Sequence, residues 1–376
     1  MVTRCTRATF WSTVVLLALS PAISQAQLGY QQTNLVTDGG DPNIQAAHTD
    51  SELVNPWGLV FLPGSPWWIS DNHSGKSTLY NGDGTPRSLV VSIPGEGSPT
   101  GIVATLSGDF SGDRFIFASE DGTISGWQPS LGTTAANRVL ASEDNIYKGL
   151  ALANNGSGNF LYAANFKTGN IDVFDKNYAP ALGFGGKFVD PNAPAGYAPF
   201  GIQNIGGNIY VTYAKQNGED DAPGPGNGFV DEYDANGNLL RRFATGSSVG
   251  GTLDVLNSPW GLAAAPGDFG KLSGDLLVGN FGSGQIAAFK PDGTFDGLLS
   301  RPDGTPLVNE GLWGLAFGGG NANSGQTNEL FFTAGPNDEN NGLFGKIAAV
   351  PEPGPFLSLL LGTFSTAGLL WRRRRA

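Results

Sequence analysis

An all-β, six-bladed β-propeller of four-stranded blades is the fold class this sequence predicts. Three observations predict it. A Gly-centred phrase recurs six times; the residues between recurrences fall into short alternating apolar runs; and the last recurrence runs out one strand early while a spare strand precedes the first. Composition agrees. Of 376 residues, 57 are Gly and 24 are Pro, yet 40% are hydrophobic and 11% aromatic. So many turn formers argue against long helices, and so much apolar content argues against disorder.

The first strand of each unit is marked by an aromatic residue or Pro, then Gly, then Leu or Ile. The instances are Pro56-Trp57-Gly58-Leu59, Pro99-Thr100-Gly101-Ile102, Tyr147-Lys148-Gly149-Leu150, Pro199-Phe200-Gly201-Ile202, Pro259-Trp260-Gly261-Leu262 and Leu312-Trp313-Gly314-Leu315. Their glycines are 43, 48, 52, 60 and 53 residues apart. Second strands follow at Trp67-Trp68-Ile69, Phe115-Ile116-Phe117, Phe160-Leu161-Tyr162, Ile209-Tyr210-Val211, Leu276-Leu277-Val278 and Leu330-Phe331-Phe332. Third strands come after a polar turn, as at Ser77-Thr78-Leu79-Tyr80 and Ile171-Asp172-Val173-Phe174. Runs this short, bounded by Gly, Asn and Asp, read as strands. Asp83-Gly84, Asn236-Gly237 and Asp292-Gly293 are tight-turn signals leading to fourth strands such as Ser88–Val91 and Leu239–Phe243.

Six four-stranded units at this spacing imply radial repetition rather than a solenoid. The sixth unit ends after its third strand near Val350, and Gln32–Thr37 lies unassigned before the first. That N-terminal strand is therefore expected to complete the sixth blade and lock the ring, giving one domain over residues 27–350.

The two ends read differently. Arg4 and Arg7 precede an apolar run from Ala8 to Leu19, and Ser24-Gln25-Ala26 makes a small-x-small cleavage site. Residues 1–26 are thus expected to be a signal peptide. Cys5, the sole cysteine, lies in that leader, so disulfides and thiol catalysis are excluded from the exported chain. At the other end Pro351-Glu352-Pro353 is followed by an uncharged stretch from Pro355 to Trp371 and by Arg372–Arg375. Seventeen apolar or neutral residues reach the short limit of a bilayer span, and the arginines hold that end in the cytoplasm. Between the two ends the net charge is near −17. Such a surface repels phosphate backbones and anionic lipid, which excludes nucleic acid as a partner.

The tail, with Pro351, Glu352 and Pro353 heading a short span and an arginine cluster, resembles the PEP-CTERM sorting signal. The resemblance implies export, a transient inner-membrane anchor, processing by an exosortase-type enzyme, and final residence at the outer surface or outside the cell. The blades resemble six-bladed NHL-type and gluconolactonase-like propellers. Phrases such as Asn55-Pro56-Trp57-Gly58-Leu59, Glu120-Asp121-Gly122-Thr123-Ile124-Ser125-Gly126-Trp127 and Leu276-Leu277-Val278-Gly279-Asn280-Phe281-Gly282 are similar to those of uncharacterised exported bacterial propellers that often carry such tails.

Chemistry is expected where the first strands start and the second-to-third strand turns lie, at one mouth of the central channel. Trp57, Phe200, Trp260 and Trp313 stand just before four of the six repeat glycines, with Thr100 and Lys148 before the others. Four rings at a mouth can stack a sugar; equally, they can fill the wedges between blades. The turns bring Asp71, Glu120, Asp121, Asn165, Lys215 and Asn280 to the same face. Asp71, Glu120, Asn165 and Asn280 are candidate oxygen ligands for Ca²⁺, the metal that the gluconolactonase resemblance implies; Asp and Asn in turns also bond their own backbone. His48 and His73 map near this face. An acidic insertion, Lys215–Asn227 with Glu219, Asp220 and Asp221, lengthens the fourth unit's turn. It either closes over a ligand or stands solvated. No motif for a serine, phosphate-binding or zinc enzyme is present. The expected function is a monomeric binding or scaffold module for exopolysaccharide or protein, with a Ca²⁺-dependent lactonase or sugar-ester hydrolase as the alternative.

Overall fold

The computed structural model describes residues 29–246 and 254–350. The signal peptide, the Pro351-Glu352-Pro353 tail and its apolar span lie outside the described residues. Among the described residues no helix is long and apolar enough to cross a membrane.

The chain opens with β1 (Tyr30–Thr37) and the short β2 (His48–Thr49), then builds blade I from β3 (Pro56–Val60), β4 (Trp67–Asp71), β5 (Lys76–Tyr80) and β6 (Val91–Ser92). Blade II is β7 (Pro99–Ala104), β8 (Phe115–Ser119), β9 (Ile124–Trp127) and β10 (Ala136–Val139). Blade III has β11 (Tyr147–Asn154), β12 (Asn159–Asn165) and β13 (Asn170–Phe174). Its outer edge is reduced to one bridge, Phe174 to Pro180. Blade IV has β14 (Tyr197–Ile205), β15 (Asn208–Asn217), the two-residue β16 (Asp220–Asp221), β17 (Gly228–Tyr233) and β18 (Leu239–Thr245). Blade V is β19 (Pro259–Ala264), β20 (Leu276–Asn280), β21 (Ile286–Phe289) and β22 (Phe295–Leu298). Blade VI supplies β23 (Leu312–Phe317), β24 (Glu329–Ala334) and β25 (Leu343–Ala349). Its fourth strand is β1, antiparallel to β25 from Tyr30 opposite Ala349 to Thr37 opposite Leu343. The ring is closed by the N-terminal strand, as the spare strand in the sequence predicts.

Blade packing explains the near-continuous apolar second strands. Successive strand residues point to opposite faces, and in a propeller both faces of a blade are buried against neighbours. Trp67 packs with Phe331 and Phe344 of blade VI, whereas Trp68 packs with Phe115 and Trp127 of blade II. The same alternation divides Phe115 and Phe117 from Ile116 and Ala118 between two cores. Each fully buried large side chain contributes on the order of 1.5–3 kcal/mol.

The repeat glycine has a steric cause. A Cβ on Gly201 would lie 2.1 Å from the carbonyl oxygen of Trp260, and one on Gly314 would lie 2.6 Å from that of Trp57. Each first strand presses its glycine against the next blade's first strand, and there is no room for a side chain. Beside it, all six first strands carry a register irregularity: between Pro56 and Leu59, Pro99 and Ile102, Tyr147 and Gly149, Pro199 and Ile202, Pro259 and Leu262, and Leu312 and Leu315. A bulge re-aims the side chain it carries. Here it turns the residue before the glycine toward the axis.

Candidate functional site: the acidic mouth of the channel

The bulges decide where the four predicted aromatics go. Trp57 stacks on Trp313 at 3.5 Å between ring centroids, Phe281 stacks on Trp313 at 4.2 Å, and Trp260 meets Trp57 edge-on at 6.0 Å. Phe200 joins them 5.8 Å from Trp313. The two stacks join adjacent blades, VI with I and V with VI, but the contacts of Trp57 with Trp260 and of Phe200 with Trp313 join blades I with V and IV with VI, and one buried cluster holds Trp57, Phe166, Phe200, Trp260 and Trp313 from five blades. The rings therefore meet across the axis as a plug, neither in the wedges between blades nor as an open stacking platform. Trp57 and Trp313 are 2% and 1% exposed, so they offer a sugar almost no ring face. Trp260 looks instead into a 40 Å³ space in the narrow part of the channel below.

Above the plug opens a pocket of about 980 Å³, floored by Trp57, Trp313, Phe281 and Lys148. A hydrogen-bonded chain of polar side chains runs across it through five blades. Glu339 Oε2 accepts from Asn55 Nδ2 at 2.6 Å, and Asn72 Nδ2 donates to Glu120 Oε2 at 3.0 Å. Asn55 Nδ2 also reaches Asn72 Oδ1 at 3.4 Å, while Asn55 Oδ1 accepts the Trp313 indole N–H at 3.0 Å. Lys148 Nζ donates to Glu120 Oε1 at 2.5 Å and to Asp220 Oδ1 at 2.9 Å, and sits 5.4 Å from the Trp57 ring centroid.

The backbone is strained where this chain is anchored. Asn55 precedes a proline yet has φ +48°, and Asn337, Asp338 and Glu339 have φ +59°, +50° and +64° in succession. Left-handed backbone is unfavourable for residues with a Cβ, least so for Asn and Asp, and persists where the surroundings impose it. Here it delivers Glu339 to the pocket and sets Asn55, fully buried, behind it.

Burial alone would pull the Lys148 ammonium down, but the Glu120 and Asp220 carboxylates more than offset this and hold it above the ordinary lysine range. Glu339 goes the other way: burial, reinforced by the charges of Glu120 and Asp220, pushes its carboxyl up to about 7 despite the Asn55 hydrogen bond. Burial likewise raises Asp221. Salt bridges use Glu120 and Asp220 on Lys148, and Glu219 on Lys167 at 3.2 Å. Glu96, Asp121, Glu143, Asp221 and Glu339 line the pocket with no salt bridge among the described residues. The mouth is thus strongly electronegative.

Of the four candidate metal ligands, only Glu120 opens into the pocket. Asp71, Asn165 and Asn280 occupy one shared position, the last residue of a second strand, and each ties its own turn. Asp71 Oδ2 accepts the Thr78 N–H at 2.8 Å, and burial pushes that carboxyl well above its usual range. Asn165 holds the Ile146 N–H, Asn145 and Asp172; Asn280 holds the Asn257 N–H and the Gln285 carbonyl. Asp71 Oδ1 is buried with no partner, but none of the three side chains lines the pocket into which Glu120 opens. Among the described residues no group of three or more His, Cys, Asp or Glu stands in metal-binding geometry. His73 lines the pocket, whereas His48 pairs in β2 opposite Val36. The acidic insertion does fold over the mouth: β16 doubles back on β15, bringing Asp220 to Lys148 and Glu219 to Lys167.

Sequence reasoning missed Asn55, Asn72 and Glu339, and passed over Lys148 as a mere neighbour of the repeat glycine. A signal for Glu339 existed. The turn between the second and third strands of the sixth unit, Gly335–Asn341, maps to the same face as the five turns already singled out.

No protein-family model matches the chain. Several proteins of Acanthamoeba polyphaga mimivirus do. Uncharacterized protein R648 is 34% identical over 333 residues, which span 81% of this chain and 77% of that protein. Uncharacterized protein L690 is 32% identical over 328 residues, 81% of this chain and 83% of that one. The chain belongs to their family. These relatives are viral, so they lend no support to the bacterial origin that the tail's resemblance implies. Among solved structures, virginiamycin B lyase from Staphylococcus aureus superimposes with a TM-score of 0.50 at 14% identity, covering 86% of this chain and all of that one. At that identity the likeness speaks for the propeller fold alone.

Proposed function

We propose that this chain is an exported six-bladed propeller that works as a binding module and holds a saccharide in the pocket at the mouth of its channel. One observation carries the reading. A roomy polar pocket is crossed by a chain of carboxylates, amides and one ammonium drawn from five blades, so its donors and acceptors keep fixed relative positions. Hydroxyl-rich ligands are recognised by such groups, and pre-positioning them on separate rigid blades lowers the entropy cost of binding. The sorting reading accompanies this. Residues 1–26 act as signal peptide, residues 27–350 form the propeller, and the tail from Pro351 takes the chain through an exosortase-type step to the outer surface.

The test is a glycan array probed with residues 27–350, alongside the Lys148→Met variant. Saturable binding to a restricted set of glycans, lost in the variant and without change to the ligand, is the expected result. Turnover of a lactone or ester that is abolished by Glu339→Gln replaces binding by catalysis. A blank array with a folded protein refutes the reading.

A further inference from the structure

The arrangement of unused donors and acceptors in the pocket narrows the ligand class, given the saccharide reading above on which this step rests. The floor offers donors. An ammonium has three N–H groups, and Lys148 spends two of them on Glu120 and Asp220. Trp57, 2% exposed and lining the pocket, carries an indole N–H with no partner among the described residues. Buried polar groups are normally hydrogen-bonded, so an unpaired N–H beside a pocket is a vacancy for an acceptor. The walls offer the opposite. Glu96, Asp121 and Glu143 line the pocket without a salt bridge, Asp221 and Glu339 are unpaired carboxyls that burial holds back from ionising until a cation stands beside them, and the two lysines present are already engaged.

Three ligand classes fail against this pattern. An acidic saccharide meets like charge on every side. A plain polyamine satisfies the carboxylates and brings no oxygen for the floor. A bare divalent ion finds no group of three His, Cys, Asp or Glu close enough to share it among the described residues. A sugar that carries both hydroxyls and positive charge satisfies floor and walls together.

We infer that the mouth pocket binds an amino sugar with free, protonated amines, its hydroxyl oxygens toward Lys148 and Trp57 and its ammonium groups toward the wall carboxylates. N-acetylation removes the charge and leaves the hydroxyls, so it isolates the contribution of the amines.

The experiment titrates residues 27–350, by calorimetry at pH 7, with the β-1,4-linked glucosamine trimer and with its fully N-acetylated counterpart. One site per chain for the free amine, at least about tenfold tighter than the acetylated trimer, is expected, with affinity falling as salt is raised. Glu339→Gln weakens the free-amine trimer about fivefold and leaves the acetylated one unchanged. If the acetylated trimer binds as well as the free amine, the cationic assignment falls and the saccharide reading stands. If neither trimer binds while the array shows neutral or acidic glycans, this assignment alone is overturned. A blank array overturns both.

Discussion

Glu339 is a carboxyl that the folded protein holds at a disadvantage when ionised, and replacing it with Gln turns that disadvantage into a measurement. Its proton affinity is raised from an ordinary 4.5 to about 7, chiefly by burial and then by the charges of Glu120 and Asp220. A tenfold change in proton affinity corresponds to about 1.4 kcal/mol, which puts the full penalty for ionising Glu339 at about 2–3 kcal/mol after allowance for its partial contact with water. The sign follows from linkage: a carboxyl whose folded value lies above its unfolded value stabilises the fold below the unfolded value, and that contribution is lost as pH rises through the folded one. Glutamine keeps an oxygen to accept the 2.6 Å hydrogen bond from Asn55 and carries no charge. Glu339→Gln is therefore expected to match the parent near pH 4.5, to pull ahead between pH 5 and 7, and to be about 2–3 kcal/mol more stable at pH 8. Urea unfolding followed by tryptophan fluorescence at pH 4.5, 6, 7 and 8 reads the difference. Stability curves that run parallel across this range would falsify the placement of Glu339 as a buried, electrostatically opposed carboxyl.

Two further outcomes test the fold around the site. Trp313→Ala removes a 1% exposed indole stacked between Trp57 and Phe281 and strands the Asn55 oxygen that accepted its N–H; a loss of about 3–5 kcal/mol in denaturant unfolding is expected, with loss of the circular-dichroism couplet of the stacked indoles. A loss under 1 kcal/mol contradicts the axial plug. Gly201→Ala forces a Cβ to 2.1 Å from the Trp260 carbonyl oxygen and 2.9 Å from the Thr212 hydroxyl, and the Trp260 backbone has little room to yield. At least about 2–3 kcal/mol of destabilisation is expected, against under about 0.5 kcal/mol for Gly108→Ala, where a Cβ meets nothing within 4 Å and the backbone is not left-handed; equal effects at the two positions refute a steric role for the repeat glycine.

Much of the fold was legible in the chain because its signals are local and repeated. The left-handed turns at Gly84, Gly237 and Gly293 lie where Asp-Gly and Asn-Gly pairs mark them, and the closing pair of β1 with β25 follows from counting strands. The outer strands were less legible. Ser88–Val91 reads as a strand, but only Val91–Ser92 pairs with β5, and blade III keeps a single bridge at Pro180. A blade's outer edge is held by few partners, so local alternation there is a weak guide to pairing.

The site divides along the same line. By itself the sequence determined that six units exist, that an aromatic ring or Lys148 stands beside each of five repeat glycines, and that acidic turns crowd one face, because period, turn chemistry and charge are properties of neighbours in the chain. Which way those side chains point was decided only in three dimensions. The bulge beside each glycine sends Trp57 and Trp313 inward to stack on one another, so that almost no ring face is left to a ligand. Asp71, Asn165 and Asn280 stay within their own blades, where they accept the N–H groups of Thr78, Ile146 and Asn257. Glu339 and Lys148, 191 positions apart in the numbering, come to the same pocket only because the ring closes, and no pattern along the chain encodes a meeting between its third and sixth repeats.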